Sequence, residues 1–204
     1  MAKIAIDVVL LPPDNIMDLV IQINKKFVKH IEDEIELDTK TCLPHITLAM
    51  GIIDEAQIPD IEKGMASIAS RFQPMNISFE GVDVARRPDG KAISGFTITR
   101  TDELQKLHEI VMDELVPRFT YDNVITDMFY APPTVNAVPL YWVQGFVTKS
   151  VREKYKPHLT LGMGVPEEIQ FPIPFVASRI ALCHLGSYCT CRNVLGEDIL
   201  KKNS

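Results

Sequence analysis

Hydrophobic positions along the chain predict an alternation of strands and helices. Residues 3–11 form an apolar run rich in branched side chains that ends at two prolines, which is typical of a strand. Between Asp14 and Ile31 the apolar residues recur at helical spacing, with Asp14 as the expected N-cap. The other predicted elements are strands at 45–53, 75–85, 91–99, 142–148, 157–163, 179–187 and 190–195, and helices at about 58–72 and 102–116. Residues 117–141 contain four prolines and show no clear periodicity.

Two of the predicted strands begin with nearly the same seven residues. Residues 44–50 read PHITLAM and residues 157–163 read PHLTLGM, so five of seven positions agree. Alternate residues of a strand share a face, which places His45 beside Thr47 and His158 beside Thr160. Each strand therefore offers an imidazole and a hydroxyl on one face and apolar side chains on the other.

The order of elements is also repeated. Strand, helix, motif strand and further strand occur twice, and 117–141 reads as an insertion in the second copy. We expect an α+β fold with two pseudo-symmetric lobes of antiparallel-rich sheet, helices on the outside and a cleft between the lobes that holds the active site. The sequence predicts one bilobed domain over 1–204, with lobe 1 at about 1–90 and lobe 2 at about 91–204.

Composition narrows the classes of partner. The chain has 204 residues, a formal net charge of −6 and a pI near 5.4, which argues against duplex DNA or an anionic membrane as a partner. No apolar stretch approaches the ~20 residues of a membrane span. Four cysteines without a signal peptide predict reduced thiols and a cytoplasmic location. A monomer that binds a small nucleotide or an RNA end is expected.

The repeated residues suit proton transfer at a phosphorus centre. Imidazole gives and takes protons near neutral pH, so two histidines can serve as base and acid in an in-line displacement. Threonine hydroxyls can donate hydrogen bonds to the non-bridging phosphate oxygens. This chemistry requires no metal and no cofactor.

These paired motifs on a duplicated α+β chain resemble the two-histidine (2H) phosphoesterase superfamily, also called the 2′-5′ RNA ligase-like or cyclic phosphodiesterase superfamily. The resemblance implies metal-independent hydrolysis of 2′,3′-cyclic phosphates or 2′-5′ phosphodiesters, with RNA 2′-5′ ligation as the reverse activity. It assigns the catalytic positions to His45, Thr47, His158 and Thr160. The alternatives are a module that binds a nucleotide or RNA end without turnover and a metal-dependent hydrolase that uses the histidines as ligands.

Other residues carry weaker signals. Lys156 shares strand parity with His158 and is a candidate phosphate contact or an exposed edge lysine. Tyr130 and Trp142 are candidates for stacking on a nucleobase, or else they anchor the insertion to the core. His108 is predicted to lie in a surface or capping position of its helix. The cysteines and the histidine at 183–191 lack the spacing of a zinc site, so buried strand thiols are expected there.

Overall fold

The computed structural model describes residues 2–27, 35–86, 90–130 and 137–201. Four helices and eight strands lie in these ranges, joined in places by short 3₁₀ turns. The helices are α1 (Asp14–Phe27), α2 (Ile58–Ala69), α3 (Asp102–Glu114) and α4 (Ala137–Lys149). The strands are β1 (Lys3–Leu11), β2 (Ile46–Asp54), β3 (Met75–Arg86), β4 (Ala92–Ile98), β5 (His158–Met163), β6 (Ile173–Ala177), β7 (Arg179–Leu185) and β8 (Cys191–Ile199). No helix among them has the length and hydrophobicity that a bilayer crossing requires.

The strands form two four-stranded antiparallel sheets, which confirms the predicted fold class. The first sheet has the order β2-β1-β7-β8 and the second has the order β5-β4-β3-β6. The strands pair differently from the expected lobes at about 1–90 and 91–204, because β3 joins the second sheet while β7 and β8 join the first. The reason is local: β3 and β4 pair as an antiparallel hairpin, so they must share a sheet. Each sheet thus contains strands from both copies of the repeat.

The prediction of a strand at 142–148 was wrong, because this segment belongs to α4. Its buried residues are Pro139, Val143 and Phe146, which follow the four- and three-residue spacing of a helix face. Pro139 is the third residue of the helix, where a missing N–H costs no helical bond. The aromatic and β-branched residues of the segment favour a strand. The apolar run is too short for its periodicity to reveal the helix.

The reduced-thiol prediction and the missed strand β6 need correction, and two other predictions extend beyond the described ranges. Cys183 on β7 and Cys191 on β8 form a disulfide rather than reduced thiols, since strand irregularities bring their Cα atoms to 5.4 Å. Strand β6 was not predicted, because Pro174 interrupts it; as an edge strand it tolerates the missing N–H. The last predicted residues of the first helix, including Ile31, and the turn at 88–89 lie outside the described residues.

Both motif strands contain a β-bulge directly after the threonine. On β2, Thr47 pairs with Val9 and Ala49 with Val8, so Leu48 is the extra residue. On β5, Thr160 pairs with Gly95 and Gly162 with Ser94, so Leu161 is the extra residue. A bulge leaves backbone groups out of the ladder, and buried groups of this kind need other partners.

Helices α3 and α1 supply those partners across the repeat. His108 of α3 is fully buried and its Nδ1 lies 2.8 Å from the Leu48 carbonyl oxygen. Asn24 of α1 is also fully buried, and its Nδ2 donates to the Leu161 carbonyl oxygen at 2.6 Å. The helix of each copy therefore holds the bulge in the motif strand of the other copy. The prediction of a surface or capping role for His108 was wrong.

Tyr155 also hydrogen-bonds to the backbone of β2. The Tyr155 hydroxyl donates to the Thr47 carbonyl oxygen at 3.0 Å, and its ring stacks on His108 with centroids 4.0 Å apart. The backbone N–H of Arg152 donates to His108 Nε2 at 2.9 Å, so the ring must carry its proton on Nδ1. The bulge carbonyls of β2 are thus both satisfied by side chains from the second copy.

We expect Asn24→Ala to destabilise the fold. Asn24 also donates to the Ile35 carbonyl oxygen at 2.8 Å and accepts from the Leu37 N–H at 2.9 Å. Alanine would leave these buried backbone groups and the bulge carbonyl of β5 without partners, which should lower the free energy of unfolding by roughly 3 kcal/mol. Urea denaturation measures this change. Asn15→Ala, at an exposed position of the same helix, is the matched control and should change stability by less than about 0.5 kcal/mol.

Candidate active site

Each motif histidine is oriented by a bond to its own backbone. His45 Nδ1 lies 2.9 Å from the Leu43 carbonyl oxygen, and His158 Nδ1 lies 3.0 Å from the Lys156 carbonyl oxygen. A carbonyl oxygen only accepts, so Nδ1 carries the proton in both rings. In the neutral rings Nε2 is then the atom that accepts a proton, and the two imidazoles are prepared for proton transfer in the same way.

The proline before each histidine explains why the same bond forms twice. Proline fixes its own φ near −65° and restricts the preceding residue to extended conformations. In both motifs this places the carbonyl two residues before the histidine within reach of its ring. The order Pro-His at the start of a strand therefore determines the tautomer as well as the position of the imidazole.

The two rings differ in their burial. His45 shows 12% of its side-chain surface, whereas His158 is exposed at the start of β5. Burial lowers the pKa of His45, and bonds to the backbone of Leu43 and Cys189 only partly offset this. His45 is therefore held in its neutral form near neutral pH.

The two motif histidines interact electrostatically. A positive charge on His158 further lowers the pKa of His45, so the two rings lie within electrostatic reach of each other. Strands β2 and β5 also lie in contact. The two rings are 113 positions apart in the sequence, and the contact between β2 and β5 brings their strands together.

The two threonines have different surroundings. Thr47 Oγ1 lies 2.6 Å from Asp7 Oδ2, a separation at which either oxygen could supply the hydrogen. Thr160 makes no side-chain hydrogen bond to any residue that the structure describes, and it is partly exposed. The hydroxyl of Thr160 is thus available to a ligand, whereas that of Thr47 already has a partner.

Asp7 is the site residue that the sequence interpretation missed. It lies in the middle of β1, pairs with Met50 and Cys183, and is fully buried. Its Oδ2 is 3.9 Å from His45 Nε2, which exceeds hydrogen-bond length. The sequence did contain a signal for it. Asp7 is the one charged residue between Ile4 and Leu11, and the strand is buried throughout this stretch. Buried carboxylates without a cationic partner are rare.

The three predicted substrate contacts are exposed side chains. Lys156 is exposed two residues before His158. Tyr130 is 40% exposed and meets the His184 ring edge to face, with centroids 5.6 Å apart. Trp142 is 44% exposed on α4, which packs against β2 and against the turn that contains Cys189. All three therefore keep surface that a ligand can contact.

The side chains around the motifs do not form a metal-binding group. Within the described ranges, no three histidine, cysteine, aspartate or glutamate side chains come together in such a cluster. Cys183 is taken up by the disulfide, while burial raises the pKa of Cys42 to about 11. The titratable groups closest to the motif threonines and histidines include the two imidazoles and the carboxyl group of Asp7.

Solved structures share this fold at low sequence identity. The protein TT0787 of Thermus thermophilus is 15% identical, with 98% of this chain and 100% of that chain covered and a TM-score of 0.60. Escherichia coli LigT complexed with NADP+ is 14% identical, with 98% and 99% covered and a TM-score of 0.51. LigT complexed with phosphate is 13% identical, with 99% and 100% covered and a TM-score of 0.50. No curated protein sequence matches the chain.

A family model covers most of the chain, including both motifs. The model described as the 2′-5′ RNA ligase superfamily matches residues 39–183. This range contains His45, Thr47, His158 and Thr160, and it confirms the resemblance that the repeated heptapeptides indicate. The chain belongs to the 2′-5′ RNA ligase superfamily.

Proposed function

We propose that the protein is a metal-independent phosphoesterase that hydrolyses a 2′,3′-cyclic phosphate or a 2′-5′ phosphodiester in a small nucleotide or an RNA end. The observation that carries the proposal is the pair of matching imidazoles, each bound to the backbone through Nδ1 and within electrostatic reach of the other. One such ring can accept a proton from the attacking group while the other donates a proton to the leaving group at the same phosphorus atom.

The unequal burial of the rings supports a division of roles. His45 is held neutral by burial, so its Nε2 is suited to accept a proton from the attacking water. His158 is exposed at the start of β5. In hydrolysis, His45 acts as the base and His158 donates a proton to the departing ribose oxygen.

The threonine hydroxyls stabilise the phosphoryl group. Thr160 lies two residues after His158 with no protein partner among the described residues, so its O–H can point at a non-bridging oxygen. Thr47 holds the corresponding position beside His45. Preorganised donors of this kind lower the barrier because the negative charge on these oxygens rearranges in the transition state.

The ligands of a protein with the same fold support the substrate class. LigT of Escherichia coli has been crystallised with phosphate, with 3′-AMP and with NADP+. Phosphate attached to ribose is common to the two nucleotides. We infer that the cleft of this protein also receives a ribose phosphate.

Turnover in the presence of a chelator tests the proposed function. Purified protein with excess EDTA should hydrolyse at least one member of a panel of 2′,3′-cyclic nucleotides and 2′-5′-linked dinucleotides. His45→Ala and His158→Ala should each reduce kcat by about 10²–10⁴-fold, and the double variant should be far less than multiplicatively worse. Thr99→Val, an exposed threonine after β4, is a control that should keep full activity. Turnover that requires added metal would contradict the proposal, and binding without turnover would identify a binding module.

The acidic limb of the pH profile should lie below the ordinary titration range of histidine. The base must be neutral, so kcat/KM falls as the pH drops through the pKa of His45 in the free enzyme. Burial lowers that pKa, which moves the limb below pH ~6.5. Measuring kcat/KM from about pH 4.5 to 8 checks this. A limb centred above ~6.5 would assign the base role to another group.

We also propose that Trp142 and Tyr130 stack on the base of the substrate and that Lys156 contacts its phosphate. Stacking contributes about 1–3 kcal/mol per base, so Trp142→Ala should raise KM about tenfold with little change in kcat. Lys156→Ala should raise KM less, because the lysine is solvated. Lys154→Ala is the matched control, since its Nζ already donates to the Thr148 carbonyl oxygen at 2.8 Å. An unchanged KM in Trp142→Ala would mean that the indole does not touch the substrate.

A further inference from the structure

The carboxyl group of Asp7 lies under the first motif and has no assigned task. Its side chain is fully buried on β1. Oδ2 is 2.6 Å from Thr47 Oγ1, while Oδ1 has no hydrogen-bond partner. Among the described residues, no lysine or arginine forms an ion pair with Asp7. His45, which carries a positive charge only when protonated, has its Nε2 atom 3.9 Å from Asp7 Oδ2.

An ionised carboxylate in this place would be costly. A buried charge needs a cation or several hydrogen bonds, and here one hydroxyl faces one of the two oxygens. Among the described residues, His45, Tyr155 and Cys189 interact with Asp7 and disulfide-bonded Cys183 pairs with it across the sheet, and none of these groups is a permanent cation. Burial raises the pKa of Asp7 well above its ordinary value, and the bond from Thr47 opposes this only in part. Full burial, a single hydroxyl partner and an unpartnered Oδ1 therefore favour the neutral acid over the carboxylate.

Protonation of Asp7 determines what Thr47 can do. A hydroxyl group has one hydrogen. If Asp7 is ionised, that hydrogen must point to Oδ2 and cannot reach a phosphoryl oxygen. If Asp7 is protonated on Oδ2, its own hydrogen is donated to Thr47 Oγ1, and the threonine hydrogen is free for the substrate. The same 2.6 Å separation serves both arrangements with the donor reversed.

We propose that Asp7 is a positioning residue that, as a neutral carboxylic acid, donates its hydrogen to Thr47 and directs the threonine hydroxyl toward the phosphoryl group. The second motif has no counterpart. Asp7 pairs with Met50, and the residue that pairs with the equivalent Met163 is Ile93. Only one of the two threonine donors is controlled in this way.

The kinetic part of this inference rests on the proposed function, whereas the protonation state does not. Infrared spectroscopy of the free protein at neutral pH should show a carboxylic-acid C=O band that is absent from Asp7→Asn. This measurement needs no substrate, so it remains decisive if no member of the panel is hydrolysed. A difference spectrum with only carboxylate bands would overturn the inference and indicate an ion pair between Asp7 and charged His45.

Equilibrium stability gives a second measurement without substrate. The folded protein keeps the Asp7 proton, while the unfolded chain loses it near pH ~3.9. Unfolding therefore releases a proton above that pH, and the free energy of unfolding falls as pH rises from about 4 toward the raised pKa. Relative to wild type, Asp7→Asn should gain stability progressively over this range. A stability difference that does not change with pH would contradict a buried neutral acid.

Kinetics then test the direction of the bond. In Asp7→Asn, the amide Nδ2–H can donate to Thr47 as the acid does, so kcat should stay within about threefold of wild type. Asp7→Leu keeps a similar size but offers no donor, and it should lower kcat about tenfold or more, as should Thr47→Val. Asp7→Leu in the Thr47→Val background should cause no additional loss, because the two act as one unit. An Asn variant as impaired as the Leu variant would show that the negative charge is required.

Discussion

The carbonyl groups of two β-bulges are the constraint on which the site depends. Leu48 and Leu161 each leave a buried carbonyl oxygen outside the strand ladder, and His108 and Asn24 satisfy them from the opposite copy of the repeat. Buried backbone groups are too costly to leave unpaired, so the helices cannot shift without moving the motif strands. Each bulge therefore fixes the orientation of the leucine that follows the motif threonine, and with it the orientation of the threonine.

Duplication produced two similar motifs, but the surroundings make them unequal. His45 is buried beside a carboxyl group, whereas His158 is exposed and forms no ion pair with a carboxyl group of the described residues. A reaction that needs one neutral and one charged imidazole benefits from this difference, because equal rings would compete for the same proton. The asymmetry comes from the surroundings of the two motifs: His45 is largely buried and lies near Asp7 of β1, whereas His158 is exposed.

Local patterns predicted most of the secondary elements, including both motif strands, because strand periodicity depends on adjacent residues. The failures have physical causes. The segment 142–148 is too short and apolar for its period to identify a helix. The contribution of His108 depends on a bond to Leu48 across 60 positions, and no neighbouring residue signals it. Asp7 was visible as a charge in an apolar strand, but its partner Thr47 lies 40 positions away. The sheet to which a strand belongs depends likewise on distant partners.

The exchange of strands between the sheets also has a consequence for biosynthesis. Strand β1 lies between β2 and β7, so one of its edges pairs with residues near 180. When only the first half of the chain has emerged from the ribosome, β1 and β2 are present, but the edge of β1 that pairs with β7 has no neighbour. Such an edge is prone to pair with other chains. Contacts so distant in sequence slow folding, because the long intervening loop must close first. The first sheet therefore cannot be completed until the last hairpin, β7 and β8, has been translated.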